Sequence, residues 1–138
     1  RGVLTSSGSI AADVVVLAVI LDERWINETN AVRGEAIYSR CYACHSLDAD
    51  RTGPRHCGLL GRRAGSVPGF DYSPAMRASG IVWDARTLDR FLANPTAVVP
   101  GTSMGYAGIA DAQERADLIA YLGNARCAGV PTSPPGSR

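Results

Sequence analysis

Residues 41–45 read Cys41-Tyr42-Ala43-Cys44-His45. Two thiols at this spacing, with an imidazole directly after the second, have three chemical uses. They can form a redox dithiol, supply half of a zinc site, or anchor a haem through two thioethers while the imidazole falls under the iron. A redox dithiol needs a βαβ setting, and no such pattern flanks Cys41. A zinc site needs more ligands at short spacing. Only His56, Cys57 and Cys127 remain in the chain, and the adjacent pair His56-Cys57 suits tetrahedral geometry poorly. The C-x-x-C-H order therefore predicts one covalent c-type haem. Cys41 and Cys44 are its attachment points and His45 its fifth iron ligand.

An iron that only carries electrons needs a sixth ligand downstream. The chain has two methionines, Met76 and Met104. Met76 lies in Ser73-Pro74-Ala75-Met76-Arg77-Ala78-Ser79-Gly80. A serine cap, a proline at the first helical position and a closing glycine predict a short helix there. A methionine in such a helix reads as a gap-filler of the core. Met104 follows Pro100-Gly101-Thr102-Ser103, in a segment from Pro95 that reads as a stiff loop between helices. Loops of this kind deliver one side chain at a fixed position. Met104 is the expected axial ligand.

A longer pattern surrounds these residues. It comprises Arg51-Thr52-Gly53-Pro54, Gly58-Leu59-Leu60-Gly61-Arg62, Gly69-Phe70-Asp71-Tyr72-Ser73, Trp83, Thr87-Leu88, Phe91-Leu92, Asn94-Pro95, Pro100-Gly101-Thr102-x-Met104 and Asp117-Leu118-Ile119-Ala120-Tyr121-Leu122. In order and spacing it resembles class I cytochrome c, in the mitochondrial cytochrome c and bacterial cytochrome c2 branch. The match runs from about Gly34 to Leu122. The resemblance implies an all-α fold of short helices and long loops wrapped around one haem. It also implies roles around that haem. The Pro54 carbonyl accepts from the far nitrogen of His45 and fixes its tautomer. Tyr72 and Trp83 donate to a buried propionate, Arg62 offsets its charge, and the Thr102 hydroxyl orients that edge. Each also has a plainer reading. Tyr72 and Trp83 are core residues with satisfied polar tips, and Arg62 with Arg63 is a solvated pair.

The chain departs from the family pattern at several places. The loop from His45 to Pro54 is shorter. His56-Cys57 replaces the usual Leu-His before Gly58. Phe91 stands where a tyrosine is common, and Met76 where an asparagine usually joins the haem hydrogen-bond network. Losing two polar groups predicts a drier pocket.

These residues need elements to position them. Ala31 to about Tyr42 reads as a first helix running into the haem motif. Residues 46–72 read as loop, punctuated by Gly53-Pro54, Gly58, Gly61, Gly65, Pro68 and Gly69. A loop of that length argues against a compact domain unless it wraps a large apolar group. Asp84 caps a helix that ends at Asn94-Pro95. Asp111-Ala112-Gln113-Glu114 resembles a capping box. The helix after it places Leu118, Ile119, Leu122 and Ala125 on one face, toward the first helix.

Hydrophobic residues make up 46% of the 138 residues, enough for one core around a bulky cofactor. The formal net charge is +1, and all fourteen basic residues are arginine. Two haem propionates would reverse that sign, and no nucleic-acid partner is expected. Where the mitochondrial branch has a lysine ring for docking, this chain has Arg40 and Arg51 but also Thr96, Ala97 and Ser103. Long-range electrostatic steering should be weak.

Three segments are expected: an N-terminal extension over residues 1–30, a cytochrome c domain over 31–127 and a disordered tail over 128–138. The apolar run Val14 to Leu21 is too short to span a bilayer. It reads as an appendage or a grip on a partner subunit, with a leader remnant as the other reading. Haem attachment in this family takes place outside the cytoplasm, so the periplasm is the expected address. In that oxidising setting Cys57 and Cys127 are expected to pair, with two separate buried thiols as the alternative. The resemblance implies an electron carrier, not an enzyme, since catalysis at the iron needs an open sixth position. The partners it implies are a quinol–cytochrome c oxidoreductase, a terminal oxidase, a photosynthetic reaction centre or a dehydrogenase. The alternative is a cytochrome subunit held permanently by one dehydrogenase or membrane complex.

Overall fold

The computed structural model describes residues 30–129. The expected N-terminal extension, all but its last residue, and the expected tail beyond Gly129 lie outside them.

The first element, α1, covers residues 30–38 and tightens into a 3-10 turn at Ser39–Cys41. The sequence reading of one helix to about Tyr42 therefore ends early. The tightening brings the haem motif round: Cys44 and His45 both return their N–H to the Cys41 carbonyl, at 3.1 and 2.8 Å. The next helix, α2, is Pro74–Ala78, with Ser73 accepting from the Met76 N–H. Helix α3, Ala85–Ala93, starts in a capping box. Asp84 accepts from the Thr87 N–H, and the Thr87 hydroxyl accepts from the Asp84 N–H at 2.8 Å.

The segment after Pro95 corrects the sequence reading. It opens as a one-turn helix, α4, Pro95–Val98, and not as a loop. Asn94 ends α3 and caps α4, taking the Ala97 N–H on its side chain. Pro95 sits at the first helical position, where its missing N–H costs nothing. Helix α5, Ala112–Asn124, is capped by Asp111 from the Glu114 N–H. The expected box is only half made. The Glu114 carboxylate turns to Arg40 at 2.6 Å and ties α5 to the turn that carries the haem motif.

Helix α3 packs on α5. It buries Leu88, Phe91 and Leu92, and α5 buries Leu118, Ile119 and Leu122, the helical spacings of a core face. Ala125 has left the helix and caps it. Arg115 holds the two helices in register through Asp89 at 2.7 Å. Tyr38 is fully buried at the centre of the cluster. Its ring meets Tyr42 edge-on and Tyr121 at a tilt, with centroids 5.1 and 5.5 Å away. Cutting a residue such as Leu118 to alanine would cost about 2–5 kcal/mol.

Gly34 lets α1 cross α5. A Cβ at this position would overlap the Asp117 carbonyl and stand 2.7 Å from the Tyr121 Cβ. Arg33, next to it, reaches Asp117 at 2.9 Å, so an ion pair borders the crossing. The long segment between the haem motif and α2 is loop, as expected, with one isolated bridge joining Arg63 to Val82. No helix of the described residues is long and apolar enough to cross a membrane.

Candidate haem site

The site is built where α1 runs out. Cys41 is half-buried and Cys44 exposed, and neither is in a disulfide. Burial raises the Cys41 thiol, with Arg40 opposing. The loop after the motif doubles back under it. Gly53 donates to the Cys44 carbonyl at 2.7 Å, His56 to Ser46 at 3.1 Å and Cys57 to Leu47 at 2.8 Å. This return places Pro54 beside His45, and the Nδ1 of His45 lies 2.8 Å from the Pro54 carbonyl oxygen. A carbonyl can only accept, so Nδ1 carries the proton and Nε2 is left as a bare donor atom. His45 is 8% exposed. Burial holds it below its ordinary range despite the Pro54 carbonyl, which keeps the ring neutral, the form that binds iron.

Gly53 approaches closely for a visible reason. A Cβ there would overlap the Cε1 of His45 and stand 2.6 Å from both ring nitrogens. That position is over the ring face, so only glycine fits. His56 also contacts the imidazole. The two rings stack with centroids 4.0 Å apart and planes 23° from parallel. His56 shares a 3.2 Å hydrogen bond with the Tyr38 hydroxyl. Burial first, then the proximity of His45 and of the Arg62 guanidinium, hold it well below its ordinary range. The sequence reading did not place His56 in the site. The signal was present, as a polar ring at a position where the family pattern has leucine.

The two methionines are alike in burial, since both pack partly buried against the core. Their backbones differ. Met76 is locked in α2, and its carbonyl accepts from both the N–H and the hydroxyl of Ser79. Met104 follows α4 in irregular chain, where its N–H bonds the Thr102 hydroxyl at 3.2 Å. Thr102 itself is fixed through Val99 at 3.0 Å.

The remaining expected residues fall into two groups. Trp83 and Arg62 are joined through the main chain, Trp83 N–H to Arg62 carbonyl at 2.9 Å, and Trp83 is buried against Phe91. The Arg62 guanidinium donates to the carbonyls of Cys57 and Arg55 at 3.2 and 2.8 Å, so it is not a free solvated charge. Tyr72 is not bonded to this pair but lies near enough to act on the Arg62 charge. Its hydroxyl accepts from the Val67 N–H at 3.1 Å, and its own proton stays free to donate. Cys57 is bonded to Cys127, which fastens the loop to the chain just past α5.

The donor set fits a haem c. It offers two unbridged thiols, one neutral imidazole nitrogen and a thioether beside an apolar core, which are the ligand types of low-spin haem. It does not fit zinc. The described residues contain no group of three or more His, Cys, Asp or Glu side chains placed to hold a metal ion.

Comparison with known proteins agrees. The Cytochrome c family model matches residues 31–126. Cytochrome c2 of Rhodomicrobium vannielii is 47% identical over 94 residues, 66% of this chain and 75% of that protein. Cytochrome c type-1 of Ascaris suum is 46% identical over 100 residues, 70% of this chain and 89% of that protein. Among solved structures, cytochrome cH from Methylobacterium extorquens superposes with a TM-score of 0.66 at 39% identity, over 67% of this chain and 96% of that one. The chain belongs to the cytochrome c family. It is a class I c-type cytochrome with the all-α fold of that class, and its business is electron transfer.

Proposed function

We propose that the chain is a single-haem electron carrier in the periplasm. Cys41 and Cys44 would hold the haem as thioethers, with His45 Nε2 and the Met104 sulfur as the protein's two donors to its iron. The haem supplies reversible one-electron chemistry. The protein's part is to fix the ligands, dry the pocket and present an edge to its partners. The observation that carries this reading is the 2.8 Å contact of His45 Nδ1 with the Pro54 carbonyl, which leaves one nitrogen of a buried neutral ring for a ligand.

Tyr72, Trp83, Arg62 and Thr102 take the propionate edge. Trp83 and Arg62 already share a main-chain bond, and Tyr72 keeps a proton to give. Phe91 and Met76 replace polar groups on the other walls, so less water reaches the site. Residues 31–127 form the redox domain, with 1–30 as an extension and 128–138 as a tail. With His45 and Met104 both given to the iron, the haem would serve electron transfer and leave no open position for substrate, so the protein would be a carrier and not an enzyme. Its partners are membrane complexes such as a quinol oxidoreductase, an oxidase or a reaction centre, or a dehydrogenase.

The test is a pair of substitutions. Intact mass of the purified holoprotein should show one haem. Met104→Ala should abolish the weak far-red absorption that iron–thioether ligation gives in the oxidised state, and Met76→Ala should leave it. The reverse result would transfer the sixth ligand to Met76.

A further inference from the structure

Beside His45 lies a polar pair with no part in the proposed ligand set. Tyr38 is fully buried at the end of α1, and His56 sits on the returning loop. They share a 3.2 Å hydrogen bond, their rings meet edge-on at 5.7 Å, and His56 also stacks on the imidazole of His45. A polar pair set against the core in this way, Tyr38 buried and His56 half-buried, is costly unless each member is satisfied. Two apolar side chains would fill the space without that demand. Its presence beside the axial imidazole calls for a use.

We propose that His56, held by Tyr38, is a positioning residue that sets the rotation of the His45 ring about its bond to iron. The proposal rests on His45 being the axial ligand.

The coordinate in question is the rotation of the His45 ring, which packing has to hold: the Gly53 backbone lies over a ring face, and His56 stacks on the ring. The Pro54 carbonyl fixes which nitrogen faces the iron, but a single hydrogen bond to a carbonyl tolerates a broad range of directions. It restrains the ring's rotation only softly. The stacked face of His56 restrains it firmly, because a turn of His45 drives its edge into the neighbouring ring. His56 cannot yield easily. Its N–H is bonded to Ser46, its carbonyl accepts from Leu59 at 3.2 Å, and the next residue is tied by the disulfide to Cys127. Its ring is pinned by a hydroxyl that belongs to the most buried side chain of the core. The chain that orients the ligand therefore runs from the α1–α5 crossing through Tyr38 and His56 to His45. Ring rotation would set which iron orbital overlaps the imidazole π system, so together with the thioether it would orient the magnetic axes of the ferric state.

The experiment uses the full-length ferric holoprotein and its His56→Leu and Tyr38→Phe variants. The readouts are electron paramagnetic resonance g values and the proton chemical shifts of the haem methyl groups, with far-ultraviolet circular dichroism as a fold control. His56→Leu should shift the g values and reorder or compress the methyl resonances, with secondary structure unchanged. Tyr38→Phe should shift them in the same direction by less, since it deletes one oxygen and keeps the rings. Wild-type g values and methyl shifts in both variants would overturn the proposal. If His56→Leu does not accumulate as holoprotein, Tyr38→Phe decides alone, and wild-type spectra there overturn it. A His45→Ala variant that keeps the wild-type low-spin ferric spectrum would fail differently, by removing the axial role of His45 itself.

Discussion

Gly34 and Asp117 meet backbone against backbone, so closely that no methyl group fits between the two helices that carry them. The absent side chain is what sets the distance from α1 to α5. Everything hung on the end of α1, including Tyr38 and the haem motif, takes its position from this contact.

Gly34→Ala should therefore force the helices apart. Overpacking of this kind costs about 1–3 kcal/mol, and backbone atoms on the facing helix leave little room for relief. The measurement is the urea midpoint of the holoprotein, with the slope held fixed. An unchanged midpoint would show that the crossing is looser than its geometry.

Asp117 gives a prediction in pH. It is 3% exposed, and the Arg33 guanidinium, helped by Gln113, holds its carboxyl below the usual carboxylate range. A carboxylate lowered on folding adds stability above its unfolded pKa of about 3.9, and that stability is lost as pH falls through the folded value. Asp117→Asn should be less stable than wild type at neutral pH, and the gap should close in acid. Urea midpoints at a series of pH values check this. A gap independent of pH would assign the effect to packing and not to charge.

The Cys57–Cys127 bond spans 70 residues. On the chain-entropy model, closing a loop of that length stabilises by roughly 4 kcal/mol. Replacing both cysteines by serine should lower the unfolding free energy by up to that amount and leave haem content intact. Thiol counting under denaturing, non-reducing conditions should find no alkylatable cysteine in the holoprotein. Two reactive thiols would contradict the bond.

Charge near the haem motif is already engaged inside the molecule. Arg40 pairs with Glu114, and Arg51 donates to the Tyr42 carbonyl at 2.6 Å. Electron transfer to a partner protein should vary little with ionic strength, since few basic groups remain to steer the encounter. Stopped-flow rates from low to physiological salt measure it. A steep fall would reveal a charged docking patch.

The sequence declared the helix starts well, because caps are local chemistry. Ser73, Asp84 and Asp111 each take an N–H one turn on, as their residue types demand. It declared the haem motif for the same reason. It misjudged Pro95–Val98, where proline and glycine nearby suggested a loop and Asn94 instead capped a further turn. It expected Glu114 to close a capping box, but an arginine distant in the chain competed and won. His56 escaped notice as a site residue because stacking on His45 depends on a return of the loop that no short window encodes. Non-local partners account for the second and third of these differences.

The disulfide also bears on how the protein is made. The chain has four cysteines, and two reactions compete for them, oxidation and haem attachment. A bond between Cys41 or Cys44 and Cys57 would leave the motif one thiol short. In the folded chain Cys57 is buried and taken by Cys127, which leaves Cys41 and Cys44 free. The fold thus sorts its thiols: joining Cys57 to Cys127 withdraws both from pairing with the motif, so neither can take a thiol that the cofactor needs.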